Sequence, residues 1–384
     1  MKKPIYLDHF STTPVDSRVL EAMLPYFTEV FGNPASQTHC YGWEADEAVE
    51  NARGELAKLI GASPKEIVFT SGASESNNLA IKGVADALAG QGNHIITLAT
   101  EHKSVLETCL SLQTKGFDVT VLPVNADGLL DLERLISALT DRTILVSIMF
   151  ANNEIGVIQP IDKIGKLLRE RGILFHSDAT QAVGKLSVDV SRDSIDLLSL
   201  SAHKFYGPKG IGALYIRRGV KLATQIHGGG QEHGIKSGTL NVPGIVGLGK
   251  AAWYARSEMG EESVHIGKLR DRLQRQILTG IDGVTVNGSL ERRLPHNLNI
   301  SFEGVDGESL LNSLKDIALS RGSTCSGNSF HPSHVLTAIG LPNQLAQATL
   351  RFGLGRSNTE QDIDFVADRV IQAVRNLRCK AMTR

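Results

Sequence analysis

Three segments of this 384-residue chain place reactive or charged side chains directly after short apolar runs. In SLSAHKFYGPKGIGALY, Lys204 follows a run ending at Ser201 and precedes a turn rich in glycine and proline. A lysine just beyond a strand end can be held in a cleft, where desolvation lowers its pKa and permits Schiff-base chemistry; the alternative is an ordinary surface lysine. In ILFHSDATQAVGK, Asp178 ends another apolar run. An ionised carboxylate there is costly without a cationic partner, unless it lies at the surface or caps a helix. In EIVFTSGASESNNLAIKG, an apolar run leads through a Gly/Ser turn into a helical pattern. Free N–H groups at such a helix start, with the hydroxyls of Ser71, Ser74 and Ser76, can cradle a phosphate, although the same arrangement is common in proteins that bind nothing there. The segment has neither GxGxxG nor GxxxxGK(S/T), which argues against a dinucleotide or a nucleoside triphosphate.

A lysine, a carboxylate and a phosphate-competent turn, all at the carboxyl ends of β-runs, are what a pyridoxal phosphate (PLP) site at the open edge of an α/β sheet requires. A protonated pyridine nitrogen is a cation suited to Asp178, and the pairing lets the ring act as an electron sink. A fourth group is Cys325, in LSRGSTCSGNSFHPSHVL. The Gly, Ser and Thr content predicts a mobile loop whose thiol could visit a site and then meet an outside acceptor; the alternative is a spare exposed thiol. Cys40, Cys109 and Cys379 have no evident partners and read as incidental.

These residues need a scaffold, and the pattern between residues 60 and 220 supplies one. Seven β-rich runs, 67–70, 94–99, 119–124, 143–150, 173–178, 197–202 and 212–218, alternate with helical patterns such as Glu44 to Ile60, stopped by Gly61, and Asn78 to Leu88, stopped near Gly90. Near-continuous apolar strands separated by helices predict a mostly parallel sheet covered on both faces. From about Arg256 a long polar helix runs through Ile277, followed by VTVNG, LNISFEG, a helix from Glu308, DIALS and a last helix from Thr359. The expected division is a large α/β domain over 16–258 and a smaller α+β domain formed by 1–15 and 259–384.

Composition narrows the function classes. Lys+Arg 40 against Asp+Glu 41 gives a formal charge of -1, so no global field favours nucleic acid or an anionic membrane. The N-terminus lacks the apolar stretch of a signal peptide, and no run of about 18 apolar residues predicts a membrane span. Four scattered cysteines without a CxxC pair suit neither a disulfide framework nor a zinc site. A reducing, cytoplasmic protein is expected.

The segments YLDHFSTTPVD, FGNPAS, VFTSGASESNNLAIKG, TEHKSVL, NNEIGV, DATQAVGK, SAHKFYGPKGIGALY, HGGGQE, SGTLNV, GSTCSG and RFGLGR cover nearly the whole chain. In them the sequence resembles the cysteine desulfurases, the NifS/IscS branch of the class V aminotransferase-like enzymes. The resemblance implies PLP-dependent fold type I, a homodimer, and conversion of L-cysteine to L-alanine with a persulfide left on Cys325. It implies that Lys204 carries PLP, that Asp178 pairs with the pyridine nitrogen, and that His102 stacks on the ring and helps move protons. Asn153 and Gln181 would flank the ring; Ala73, Ser74, Ser201 and His203 would hold the phosphate, joined by Thr239 reaching into the partner subunit's site. Arg351 would clamp the substrate carboxylate, a task suited to a bidentate guanidinium, with Asn153 beside it. Without the resemblance, His102 and His203 also read as satisfied core histidines, Arg351 as a structural ion-pair partner and Asn153 as a turn residue.

The implied sulfur acceptor is a protein such as an iron–sulfur scaffold or a thiolation carrier. The sequence departs from the family at Lys236, where arginine is common, at Phe150, where many show histidine, and at Phe330-His331, where Leu-Glu is frequent. The chain ends at Arg384 without the longer extension by which relatives dock a scaffold, so the expected acceptor is not confined to a standard scaffold. Rival readings are a selenocysteine lyase or C–S lyase of the same fold, a nicotinamide dehydrogenase, and a non-catalytic interaction protein. The missing glycine fingerprint opposes the dehydrogenase, and the presence of both Lys204 and Cys325 opposes the interaction protein.

Overall fold

The computed structural model describes residues 3–320 and 332–382. Twelve strands occur among them: β1 Ile5–Tyr6, β2 Ile67–Thr70, β3 His94–Leu98, β4 Asp118–Leu122, β5 Thr143–Ser147, β6 Leu174–Asp178, β7 Leu197–Ser201, β8 Gly212–Ile216, β9 Val284–Val286, β10 Asn297–Phe302, β11 Ile317–Ala318 and β12 Thr349–Gly353. The seven expected apolar runs form one sheet in the order β2-β8-β7-β6-β5-β3-β4. Its neighbours pair in parallel, except that β8 runs antiparallel to both β2 and β7. The mostly parallel α/β expectation is met.

Alternation along each strand explains why both faces are apolar. Val68, Ile95, Leu145, Leu197 and Leu214 face a layer built from helices Ala73–Leu88 and Lys103–Gln113. Phe69, Ile96, Val146, Leu198 and Tyr215 face the opposite layer, which contains helices Cys40–Ile60 and Ile161–Glu170 and the first part of Val242–Gly280. Successive strand residues point to opposite faces, so a sheet covered twice reads as an unbroken apolar run. Each fully buried Leu, Ile or Val contributes about 1.5–3 kcal/mol relative to exposure.

The remaining strands form a three-stranded antiparallel sheet, β12-β10-β9, and a parallel β1-β11 pair. Helix Glu360–Met382 and the later part of Val242–Gly280 close a second apolar cluster over this sheet, with Ile266, Leu269, Leu273 and Ile277 facing Leu298, Ile300 and Leu350. Residue 258, the expected domain boundary, lies inside the 39-residue helix Val242–Gly280.

Helix starts differ from expectation in three places. Helix Cys40–Ile60 begins before Glu44, Ala73–Leu88 before Asn78, and Val242–Gly280 well before Arg256. The last holds a glycine-rich first third because it packs closely: a Cβ on Gly247 would meet Met23 Sδ at 2.6 Å, and one on Gly249 would meet Ala52 at 2.5 Å.

Candidate active site

Because β2, β3, β5, β6 and β7 point the same way, their carboxyl ends lie along one edge of the sheet, and the loops leaving them converge there. The loops surround a cavity of about 430 Å³. Ala73, Ser74, His102, Asn153, Asp178, Gln181, Ser201, His203, Lys204 and Arg351 all line it, so the described residues of the expected site meet in one place, with one exception. Thr239 is exposed and does not line the cavity of its own chain. Cys325 lies outside the described residues.

Lys204 ends a short 3-10 turn, Ala202–Lys204, that follows β7. Its Nζ donates to Phe10 O at 2.7 Å and Ser11 O at 2.8 Å. Asp178, the last residue of β6, is 5% exposed; its Oδ1 accepts from the Thr180 N–H at 3.0 Å and its Oδ2 from Asn77 Nδ2 at 2.8 Å. Among the described residues no basic side chain pairs with this carboxylate, so a buried acceptor at the sheet edge faces the cavity without a cation. A protonated ring nitrogen fits that position.

Across the cavity, helix Ala73–Leu88 begins after Gly72, which has φ 154° and no side-chain cap. Glycine suits this backbone, and a second glycine keeps it close to the sheet: a Cβ on Gly212 would meet Gly72 Cα at 2.7 Å. The first helical N–H groups, Ser74, Ser201 and His203 form a donor set for an anion. Ser76 does not join it: the side chain is fully buried, 2.7 Å from Thr70 Oγ1 and 3.2 Å from Gly72 O. Burial, then the charges of Lys204 and Lys209, lower the His203 pKa to about 4, so its imidazole is neutral near pH 7. Carboxylate, lysine and anion-binding turn together fit PLP.

Arg351 stands on β12 and is 1% exposed. Its Nη2 donates to Asp8 Oδ1 at 2.7 Å and Ser11 Oγ at 2.9 Å, and its Nη1 to Asn153 O at 2.9 Å. Arg351 Nε has no partner among the described residues. Arg351 therefore makes an ion pair, as the alternative reading held, and also lines the cavity.

The flanks of the segment bearing Cys325 are fixed near the cavity. Ser320 Oγ donates to Asp8 Oδ1 at 3.2 Å, and Ser320 O accepts from the Arg351 N–H at 2.8 Å. On the other side His334 Nε2 lies 2.9 Å from Glu101 O, the carbonyl just before His102, and Ser333 Oγ donates to Glu154 Oε2.

The family model for aminotransferase class-V matches residues 5–366. The chain belongs to that family. A cysteine desulfurase IscS from Anaeromyxobacter sp. (strain Fw109-5) is 56% identical over 380 residues, covering 98% of this chain and 94% of the relative. Among solved structures, a NifS-like protein superposes with a TM-score of 0.91 at 41% identity, covering 97% of this chain and all of the other. A structure titled SspA in complex with cysteine gives 0.81 at 40% identity, over 92% and 100%. As a class-V aminotransferase relative with close similarity to cysteine desulfurases, the chain is a PLP-dependent enzyme of fold type I.

Several cavity residues of this class-V enzyme were not singled out from sequence: Phe10, Ser11, Ser104, Met149 and Thr180 line it, while Asn77 and Asp8 act from behind. Asn77 had a usable signal. It lies three residues after Ser74 on one helix, so both share a face. Lys236, one departure from the family pattern, sits 3.4 Å from Glu75 at the cavity's edge.

Proposed function

We propose that this enzyme is a cysteine desulfurase that converts L-cysteine to L-alanine and leaves the sulfur as a persulfide on Cys325. The observation that carries the reading is the convergence of Lys204, Asp178 and Arg351 on one cavity. When bound, PLP supplies an electrophilic carbonyl and a ring that stores the electrons released at the substrate carbon. Lys204 would hold it covalently, and its Nζ would carry protons. Asp178 would pair with the pyridine nitrogen. Ala73, Ser74, Ser201, His203 and the partner's Thr239 would hold the phosphate. His102 and Gln181 would flank the ring. Arg351, with Asn153, would orient the substrate carboxylate.

The Cys325 thiolate attacks that sulfur. A new S–S bond forms, the substrate C–S bond breaks with its electron pair moving to the carbon skeleton, and the skeleton takes up a proton to leave as L-alanine. The persulfide sulfur then passes to an acceptor protein, an iron–sulfur scaffold or a thiolation carrier. The fixed flanks at Ser320 and His334 support this role, since they start and end the segment beside the cavity.

A homodimer is part of the reading. Leu20, Leu24, Phe27, Phe31, Tyr41 and Trp43 are all about half exposed or more, an apolar surface that a second copy would cover. A cytoplasmic location is likewise proposed; among the described residues no helix is long and apolar enough to cross a membrane.

Cys325→Ala tests the function. Cysteine turnover should be lost while the purified protein stays yellow, with a visible band that borohydride abolishes. Undiminished turnover would instead mark a thiol-independent C–S or selenocysteine lyase, and a colourless protein unable to take up PLP would sink the reading.

A further inference from the structure

A chain of hydrogen bonds joins the two groups proposed to meet the cofactor ring, and its polarity can be worked out atom by atom. Asp178 Oδ2 is an acceptor only, so Asn77 must turn its NH₂ toward it, at 2.8 Å. The second hydrogen of the same Asn77 Nδ2 points at Ser104 Oγ, 2.9 Å away. Having accepted there, Ser104 keeps its own hydroxyl proton for His102 Nδ1, at 2.8 Å. The Ser104 backbone N–H also donates to His102 Nδ1, at 3.2 Å, because His102 is the N-cap of helix Lys103–Gln113. Two donors thus converge on Nδ1, and the proton of the neutral ring is left on Nε2.

A serine or aspartate would cap the helix as well as a histidine. Asn77 is fully buried, and its Oδ1 has no partner among the described residues, which is costly for a buried polar atom. Both oddities make sense if the ring must present one fixed nitrogen to the cavity.

We propose that Asn77 and Ser104 are positioning residues that hold His102 as its Nε2–H tautomer and key that tautomer to the hydrogen-bonded Asp178 carboxyl group. The inference rests on the reading of this cavity as a PLP site. It assigns His102 a single face for proton exchange, Nε2, with Nδ1 closed by two donors.

Histidine-selective ¹⁵N NMR of the cofactor-free protein tests the tautomer directly, with His102→Gln identifying the signal. The wild type should show Nε2–H. Ser104→Ala should move the signal toward a mixture of tautomers, and Ser104→Thr, which keeps the hydroxyl, should restore it. In the PLP-loaded enzyme Ser104→Ala should lower kcat about tenfold, a fraction of the 10²–10⁴ available to a positioned proton carrier, with KM changed less than about twofold. An Nδ1–H signal in the wild type, or a Ser104→Ala signal identical to it, overturns the proposal even if cysteine turnover is normal. Conversely, an Nε2–H signal in a protein that never turns over cysteine upholds the hydrogen-bond chain and overturns the desulfurase reading instead.

Discussion

Among the described residues two arginines are buried beside carboxylates, and the fold treats them differently. Under β2, Arg53 bonds through all three nitrogens: Nε to Glu50 Oε1, Nη1 to Ile67 O and Glu232 Oε2, and Nη2 to Glu232 Oε1. Glu232 is saturated in turn, since its Oε2 also accepts the Phe69 N–H. Arg351, at the cavity, spends only Nη1 and Nη2 on Asn153, Asp8 and Ser11, and its Nε has no partner among the described residues. Where only stability is at stake the guanidinium is closed off. At the cavity one donor is left without a partner among the described residues, as the proposed carboxylate-binding role would require.

The sharpest way to break this comparison is Arg53→Met, which strands the buried Glu232 carboxylate. Unfolding free energy should fall by about 3–5 kcal/mol in urea denaturation, with turnover per folded molecule little changed. A loss under about 1 kcal/mol would show that the saturated pair is not structural. Next in size is Arg351→Lys, where a point charge replaces the planar fork. KM for L-cysteine should rise about 100-fold, close to 2.7 kcal/mol, with bound PLP retained. If KM moves less than about threefold, Arg351 belongs with Arg53.

Histidines sharpen the same contrast. Burial lowers the pKa of His9 and His176 to about 4 and that of His296 well below the usual value, so the folded state keeps these rings neutral. Each contributes stability present above the unfolded value near 6.5 and lost as pH falls toward the folded one, about 2 kcal/mol at pH 5 for a fully buried ring. Buried Glu101, whose carboxyl is pushed up, acts in the opposite sense, but it is one group against several. The urea midpoint of the cofactor-free protein should therefore drop between pH 7 and pH 5. A flat midpoint would mean that the rings are charged in the folded protein.

All seven strands of the large sheet could be read from the sequence, because a sheet covered on both faces writes itself as plain apolar runs. Helix starts were harder to see. Val242–Gly280 opens with Val-Pro-Gly and carries glycines that look like breakers until their close contacts with Met23, Pro208 and Ala52 are known. Lys204, Asp178 and the turn at Gly72 could be placed together from sequence because each lies at the carboxyl end of its own strand. Asp8 was not, since it meets Arg351 across 343 positions of chain, and no local pattern encodes that pairing. Ser76 was misjudged for a smaller reason: its place in the helix turns the hydroxyl back toward Thr70.

Helix Val242–Gly280 has a mechanical consequence. At 1.5 Å per residue it is a rod about 58 Å long, its first half embedded beside the seven-stranded sheet and its second beside β10 and β12. Lys204 belongs to the first region and Arg351 to the second. The same helix therefore packs in both apolar clusters. One continuous helix thus braces both walls of the cavity, and Ser11, which accepts from Lys204 and from Arg351, ties the two together at the site itself.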